Sequence, residues 1–394
     1  MPGGADLLIA SGALASQARD LPLVATPELC AGKTYIVTGT NVGLGFEAAK
    51  HPAHLGARRV ILGVRRLVKG RAAELAIDRA AGTAGRYKSH VDDEEEGEKD
   101  PVVQVWPLDL ARPASVRAFA RRAAAELDRL DAVLANAAVA FSTHSSSSSS
   151  SSASSPPSPL RQRERDKQGQ RWATAKEQAE PVAVNVLGTL LLAVLLLPVM
   201  RRKAGSWETK GDGAAMGGDC GVPLPRLVVV TSRAGFGAGM REEWDRIRED
   251  PIRGDGRGGY HLTKLAETLA VRHLAREVLP LDGGGVIINL VCPGLCATEL
   301  SRHAPPETAA RLRDLHAKYG RTAEVGSRTL LHVAVVAGAE SHGKLLHSCA
   351  DGEPDVPDWV KNETGMQKHT WEVIAMELEA IEPGCVGKLG SGLD

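Results

Sequence analysis

The sequence predicts an α/β fold built on a doubly wound parallel sheet, and three observations predict it. Short, β-branched, nearly unbroken apolar runs recur along the first three hundred of the 394 residues. Stretches of helical length, rich in Ala, Leu and Arg, separate them. A glycine-rich turn joins the first apolar run to the first helical stretch. Unbroken apolar runs suit strands buried on both faces, and strand–helix alternation implies parallel strands linked by crossover helices.

Taken in order, the strands are expected at "KTYIVT" (33–38), "RVILGV" (59–64), "VVQVWP" (102–107), "DAVLAN" (131–136), "RLVVVT" (226–231) and "GVIINLV" (285–291). A typical intervening helix is "RPASVRAFARRAAAELDRL" (112–130). His51–Pro52 falls inside the first helix, where proline lacks a donor and clashes with the preceding turn, so a kink or early end is expected there. The run "VLGTLLLAVLLLPVM" (186–200) falls short of the roughly 20 residues of a membrane span and reads as a buried core helix. Beyond residue 300 the rhythm turns helical, with "KLLHSC" (344–349) as a last edge strand and "KHTWEVIAMELEAI" (368–381) as a final amphipathic helix. Three polar stretches interrupt the pattern, a charge run, a Ser/Pro tract and a Gly-rich segment, and each is expected to be a surface loop.

Composition excludes several function classes. With 48 Lys plus Arg against 48 Asp plus Glu, there is no general attraction to nucleic acid or an anionic membrane. The six cysteines are scattered, and Cys292 with Cys296 lacks a second pair, so no metal site is expected. Free, scattered thiols suggest a reducing, cytoplasmic setting, and the N-terminus shows no basic region of a signal peptide.

The turn "VTGTNVGLGFEAAK" places Gly39, Gly43 and Gly45 between a first strand and a first helix. Glycines there let the backbone approach a pyrophosphate, and the helix N-terminus offers free N–H groups to it. Thr38, Gly39, Asn41, Gly43, Leu44 and Gly45 are the expected cofactor contacts of this turn. The second strand ends at Val64 with Arg65 and Arg66 rather than a carboxylate, which suits a ribose 2′-phosphate and favours NADP(H), unless these arginines are plain surface charges. Asp109 after the third strand either meets adenine or caps a helix. Asn136 and Ala137 end the fourth strand, where a ligand crevice opens, though an Asn there also suits a turn.

Tyr260 and Lys264 lie four residues apart in "GGYHLTKLAETLA", on one helix face. A nearby ammonium lowers a phenol toward use as a base. In the order "TGTNVGLG", "LANAA", Asn185 in "VNVLGT", Ser232 in "VVVTSRAG", Tyr260 and Lys264, then "CPGLCATEL", the chain resembles the short-chain dehydrogenases/reductases, specifically a fungal, retinol-dehydrogenase-like branch. The resemblance covers roughly residues 30–300.

That resemblance implies an NADP(H)-dependent exchange of hydride between nicotinamide and a carbonyl/alcohol substrate. Tyr260 would be the general acid or base, Ser232 would hold the substrate oxygen, and Lys264 the nicotinamide ribose. Asn185 would anchor a proton-relaying water, and Pro293, Gly294 and Thr298 would meet the nicotinamide amide and phosphate. It also implies that a homodimer could form through the helices carrying Asn185 and Tyr260. The expected organisation is an N-terminal extension (1–30), a Rossmann-type catalytic domain (31–300, with insertions at 89–100, 142–171 and 203–223) and a helical substrate-binding cap and tail of the same domain (301–394). The alternative reading keeps the fold without the chemistry, as a dinucleotide-binding scaffold. The Ser tract and two departures leave room for it: Ala138 stands where the family usually has glycine, and Pro52 falls inside the first helix. Separately, 28 residues separate Ser232 from Tyr260, about twice the length many family members use. The added length is expected at the active-site rim.

Overall fold

The computed structural model describes residues 16–82, 101–141, 180–208, 223–252, 259–281 and 285–390. In chain order, β1 (Thr34–Thr38), α1 (Gly43–His54), β2 (Arg59–Val64), α2 (Leu67–Ala81), β3 (Val103–Pro107), α3 (Pro113–Glu126) and β4 (Ala132–Ala135) form the first half. The second half begins with a π-helical segment (Val182–Gly188) that runs directly into α4 (Thr189–Glu208). It continues through β5 (Arg226–Val230), α5 (Met240–Ile247), α6 (Tyr260–His273), β6 (Ile287–Cys292), α7 (Pro306–Tyr319), α8 (Ala323–Val335), β7 (Leu345–His347), β8 (Ala350–Asp351) and α9 (Thr364–Ile381).

The strands form one sheet in the order β3-β2-β1-β4-β5-β6-β7-β8. Every pairing is parallel except the terminal β7–β8 pair. The order reverses between β1 and β4, which opens a crevice at their C-terminal ends. Strand side chains alternate between two cores. Ile36, Ile61, Val133, Val229 and Ile288 pack with α3, α4, α6 and α9, while Val37, Val60, Leu62, Leu134 and Val228 pack with α1, α2 and α8. Burial of both faces is why these strands read as continuous apolar runs rather than alternating ones.

The long apolar helix is longer than the quoted run: Val182–Ala204 spans 23 residues, enough by length and composition to cross a membrane. Nearly all of it is buried against α3 and the sheet, so the expectation of a core helix holds. Pro52 sits in the last turn of α1, which ends at His54, so the early end is seen and the start of the helix is intact.

The region after residue 300, expected as a cap, divides by packing. Helix α7 buries none of its residues and borders the crevice. Helix α8 lies on the sheet, β7 extends it beside β6, and α9 packs along α6. The two structural expectations at 344–349 and 368–381 correspond to β7 and α9. Most of the three expected insertions lies outside the described residues; residues 203–208 belong to the end of α4.

One expectation is corrected. The added stretch after Ser232 does not line the crevice in its described part, 237–252. Met240 and Trp244 anchor α5 into the core, and Arg241 reaches Glu363 and stacks 5.6 Å from the Trp359 ring, so the segment turns toward the C-terminal helices. The helices that carry Asn185 and Tyr260 pack largely within the chain itself. Every residue of α6 from Thr263 to Arg272 is buried, with α9 of the same chain packed along it.

Gly188 closes the π-helical segment where it crosses the loop after β3; a Cβ there would stand 2.1 Å from the Leu110 carbonyl oxygen. Backbone cannot retreat as a flexible side chain can. Gly188→Ala is therefore expected to destabilise the fold by about 1–3 kcal/mol, read as a lower denaturation midpoint at unchanged slope; an unaltered midpoint would contradict this close crossing.

Candidate active site

The glycine turn is built by close approach. Gly39 and Gly43 have φ of +71° and +67°, the left-handed region that favours glycine. A Cβ on Gly45 would lie 2.5 Å from Asn136 Nδ2 and 2.6 Å from the Gly39 carbonyl. Asn136 fills that space and donates from Nδ2 to the Thr38 carbonyl at 2.9 Å. The Thr38 hydroxyl accepts from the Asn136 and Ala137 amides at 3.0 and 2.9 Å. Thr38 and Gly45 thus shape the turn from beneath and do not line the cavity, whereas Gly39, Asn41, Gly43, Leu44, Asn136 and Ala137 do. Ala138 also lines it, and Ala137 packs against Gly39 with the turn intact. Across the turn stands Thr298, whose methyl would be 3.4 Å from a Cβ on Gly43; its hydroxyl accepts from the Leu300 amide.

At one end of the same cavity lie Arg65, Arg66, Lys69 and Asp109. Arg65 is exposed and pairs with Glu180 at 3.3 Å. Lys69, one turn along α2, joins the two arginines, a cation that strand-end reading does not pick out. Asp109 caps a turn: its Oδ1 accepts from the Ala111 amide at 3.1 Å, while Arg112, not Asp109, occupies the N-cap position of α3.

At the other end, β5 delivers Ser232 and the first turn of α6 delivers Tyr260. The Ser232 hydroxyl stands beside the Tyr260 phenol, and both line the cavity. Burial raises the phenol above its ordinary range, Cys292 and Glu267 raise it further, and the nearby Ser232 hydroxyl works the other way. Lys264 does not point its ammonium at the phenol as the four-residue spacing suggests. Its Nζ donates to the Val230 carbonyl at 2.6 Å and to Glu267 Oε2 at 2.8 Å. These two hydrogen bonds turn it toward β5 and the next turn of α6, although Lys264 still contributes to the cavity wall.

Glu267 is the residue that spacing arguments should have caught: it stands three after Lys264 on the same helix, within ion-pair reach. It is almost fully buried, and its Oε1 has no hydrogen-bond partner. Asn185 is held by backbone and by a neighbouring hydroxyl. Its amide is held by the Val139 backbone, accepting from N–H and donating to C=O at 2.9 Å each, and by the Thr263 hydroxyl at 3.0 Å. It lies outside the cavity lining and pins the loop after β4 to α6. His261, the neighbour of Tyr260 on α6, lines the same cavity with its ring edge-on to Tyr260 at 5.8 Å.

The cavity encloses about 970 Å³ and continues past Tyr260 between Val139, Phe141, Leu300, Leu312 and His316. That volume lies at the upper end for small-molecule sites. Pro293 and Gly294 line it beside Tyr260. Cys292 and Cys296 are buried free thiols, and burial pushes Cys296 up to about 12. Among the described residues no cluster of His, Cys, Asp or Glu could hold a metal.

No protein-family model matches the chain. Curated relatives do. The chain is 33% identical over 364 residues to the short chain dehydrogenase/reductase dmxR8 of a Cryptosporiopsis species, covering 90% of this chain and 92% of the relative. The chain belongs to the short-chain dehydrogenase/reductase family. A second member, the short-chain dehydrogenase anuD of Penicillium roqueforti, is 31% identical across 90% of this chain and 79% of its own. Among solved structures, a putative NAD(P)-dependent gluconate 5-dehydrogenase from Beutenbergia cavernae, with bound NADP, shares the fold at a TM-score of 0.50 and 20% identity, covering 81% of this chain and 95% of that one. Membership of this family makes the protein an oxidoreductase.

Burial raises the Glu267 carboxyl of this family member to about 7, against the pull of Lys264. Its folded value exceeds its unfolded one, so its contribution is fully present below the unfolded value and is lost as pH rises through about 7. Relative to Glu267→Gln, the wild type is expected to lose stability across the interval between those two values, at up to about 1.4 kcal/mol per pH unit. Chemical denaturation of both proteins between pH 4 and 8 measures this, and a pH-independent difference would rule it out.

Proposed function

We propose that this protein is an NADP(H)-dependent reductase of carbonyl compounds, with Tyr260 as proton donor and Ser232 as the group that holds the reacting oxygen. The observation that carries the reading is the placement of the Ser232 hydroxyl beside the Tyr260 phenol, inside a cavity that also contains the glycine turn and a trio of cations. The residues fit a dinucleotide. The turn closes only because Gly39 and Gly45 lack side chains, the N-terminus of α1 offers unpaired N–H groups, and Arg65, Arg66 and Lys69 suit a 2′-phosphate. In this reading Asn41, Gly43 and Leu44 hold the diphosphate, Asp109 lies beside adenine, and Pro293, Gly294 and Thr298 border the nicotinamide. NADP(H), when bound, supplies or accepts the hydride.

The remaining steps belong to the chain. Ser232 donates to the carbonyl oxygen and stabilises the charge that develops there. Tyr260 delivers its phenolic proton to the same oxygen in reduction and would recover it in oxidation. Its environment favours the protonated form, since burial and Glu267 both act against phenolate and Lys264 is drawn toward Glu267. A protonated phenol is the form that can donate to the carbonyl oxygen in reduction. Val139, Phe141, Leu300 and Leu312 surround the space beyond Tyr260 with apolar surface, which suits a substrate larger than a short-chain ketone.

An NADPH-oxidation screen over ketones, aldehydes and quinones tests the reading. Tyr260→Phe is expected to lower kcat by at least about 100-fold; turnover that survives the change would defeat the assignment. NADPH binding with no turnover of any carbonyl would favour a scaffold role instead. For the cofactor, Arg65→Ala is expected to weaken NADPH about 10-fold or more while leaving NADH nearly unchanged. Equal losses for the two cofactors, read by titration, would remove the 2′-phosphate assignment.

A further inference from the structure

We infer that Ser16 and Gln17, which precede the sheet, are positioning residues that hold the Pro293–Thr298 loop in place and so set the nicotinamide end of the site. This inference rests on the dinucleotide reading above. Gln17 meets the loop as a strand would. Its Oε1 accepts from the Leu295 amide at 3.0 Å, and its Nε2 donates to the Leu295 and Tyr319 carbonyls at 2.9 Å each. One side-chain amide thereby joins the loop to the end of α7. The fit is reciprocal: Gly294 has φ of +82°, and a Cβ there would lie 2.1 Å from Gln17 Oε1. The glycine therefore serves Gln17 as well as the turn. Gln17 itself lines the cavity.

Ser16 is the point where two buried guanidinium groups converge. Arg233, the residue after Ser232, donates to the Ser16 hydroxyl at 2.6 Å and to Asp355 at 2.7 Å. Arg321 donates to the Ser16 carbonyl, to the Pro293 carbonyl at 3.1 Å and to the Ser348 hydroxyl at 3.1 Å. All four of Ser16, Gln17, Arg233 and Arg321 are buried. Buried donors of this kind lose more when a partner is removed than they gain when it is present.

Ser348 and Cys349 form the two-residue connection of the β7–β8 hairpin with φ of +50° and +55°, where Asn and Gly are usual. Such backbone persists when surrounding contacts over-determine it. Ser348 is held by Arg321 and reaches the Ser16 carbonyl at 3.5 Å. The hairpin turn, the residue beside Ser232 and the Pro293–Thr298 loop are thus tied together through two residues of the N-terminal segment. None of these contacts involves Arg65, Arg66, Lys69 or Asp109, which sit at the opposite end of the cavity.

The separation gives a test in the full chain. NADPH and 2′,5′-ADP, which carries the adenosine half alone, are titrated against wild type and Gln17→Ala. The variant is expected to bind NADPH at least about 10-fold more weakly and 2′,5′-ADP within about twofold of wild type. Equal weakening of both ligands would mean a general loss of structure and would overturn the positioning role. Unchanged NADPH affinity would overturn it too, leaving the dinucleotide reading intact. A wild-type chain that binds neither ligand would overturn that reading and this inference together.

Discussion

At the C-terminal ends of β1 and β4, Thr38 is held on three sides by the next strand of the crevice. Its hydroxyl accepts from the amides of Asn136 and Ala137, and its carbonyl accepts from the Asn136 side chain. Parallel strands diverge where their ladder ends, and the two strands that diverge at a switch point leave their last polar groups with no partner in the sheet. Thr38 and Asn136 provide those partners for each other. The Asn136 amide fits because Gly45 has no Cβ, and Ala137 fits because Gly39 has none. The glycine turn, the start of α1 and the floor of the cavity all follow from this small knot of polar atoms.

A second set of buried hydrogen bonds governs the other end. Asn185 pairs with both backbone groups of Val139 and with Thr263, fixing the loop after β4 against α6. Lys264, one residue further along α6, is fixed by the Val230 carbonyl and Glu267. These contacts connect β4, β5, α4 and α6 beneath Tyr260 and Ser232. The same low-dielectric interior makes Glu267 electrostatically effective on Tyr260, because charges in it are weakly screened. A carboxylate three residues from the lysine thus changes what the Tyr–Lys spacing means: the cation answers first to its own helix.

Much of the site was legible in the sequence because its signals are local. Gly39, Gly43 and Gly45 mark a turn by their spacing, and Ser232, Tyr260, Pro293 and Gly294 fall at element ends that the apolar runs delimit. Other residues were harder. Gln17 meets Leu295 across 278 positions, and nothing in "SQARDLP" announces an amide that reads a distant loop. His261 lines the cavity beside Tyr260, which helical spacing does not announce: spacing gives an angle around an axis, while cavity lining depends on where the helix begins relative to the sheet. The stretch after Ser232 looked like a rim on length alone. Its direction came from Met240 and Trp244, whose burial required a core already assembled.

The sequence by itself determined the sheet and its crevice, since period, β-branching and glycine placement act within a few residues and need no knowledge of distant neighbours. It also determined which side chains reach the ends of β1, β4 and β5. Only the tertiary structure decided which of those side chains face the cavity and which lie beneath it. Thr38, Gly45 and Asn185 proved to be supports, while Lys264 was drawn to Glu267 and α9 covered the face of α6. The reason is physical: a buried polar group takes the partner that its surroundings bring within reach, and those surroundings are assembled from segments far apart in the chain.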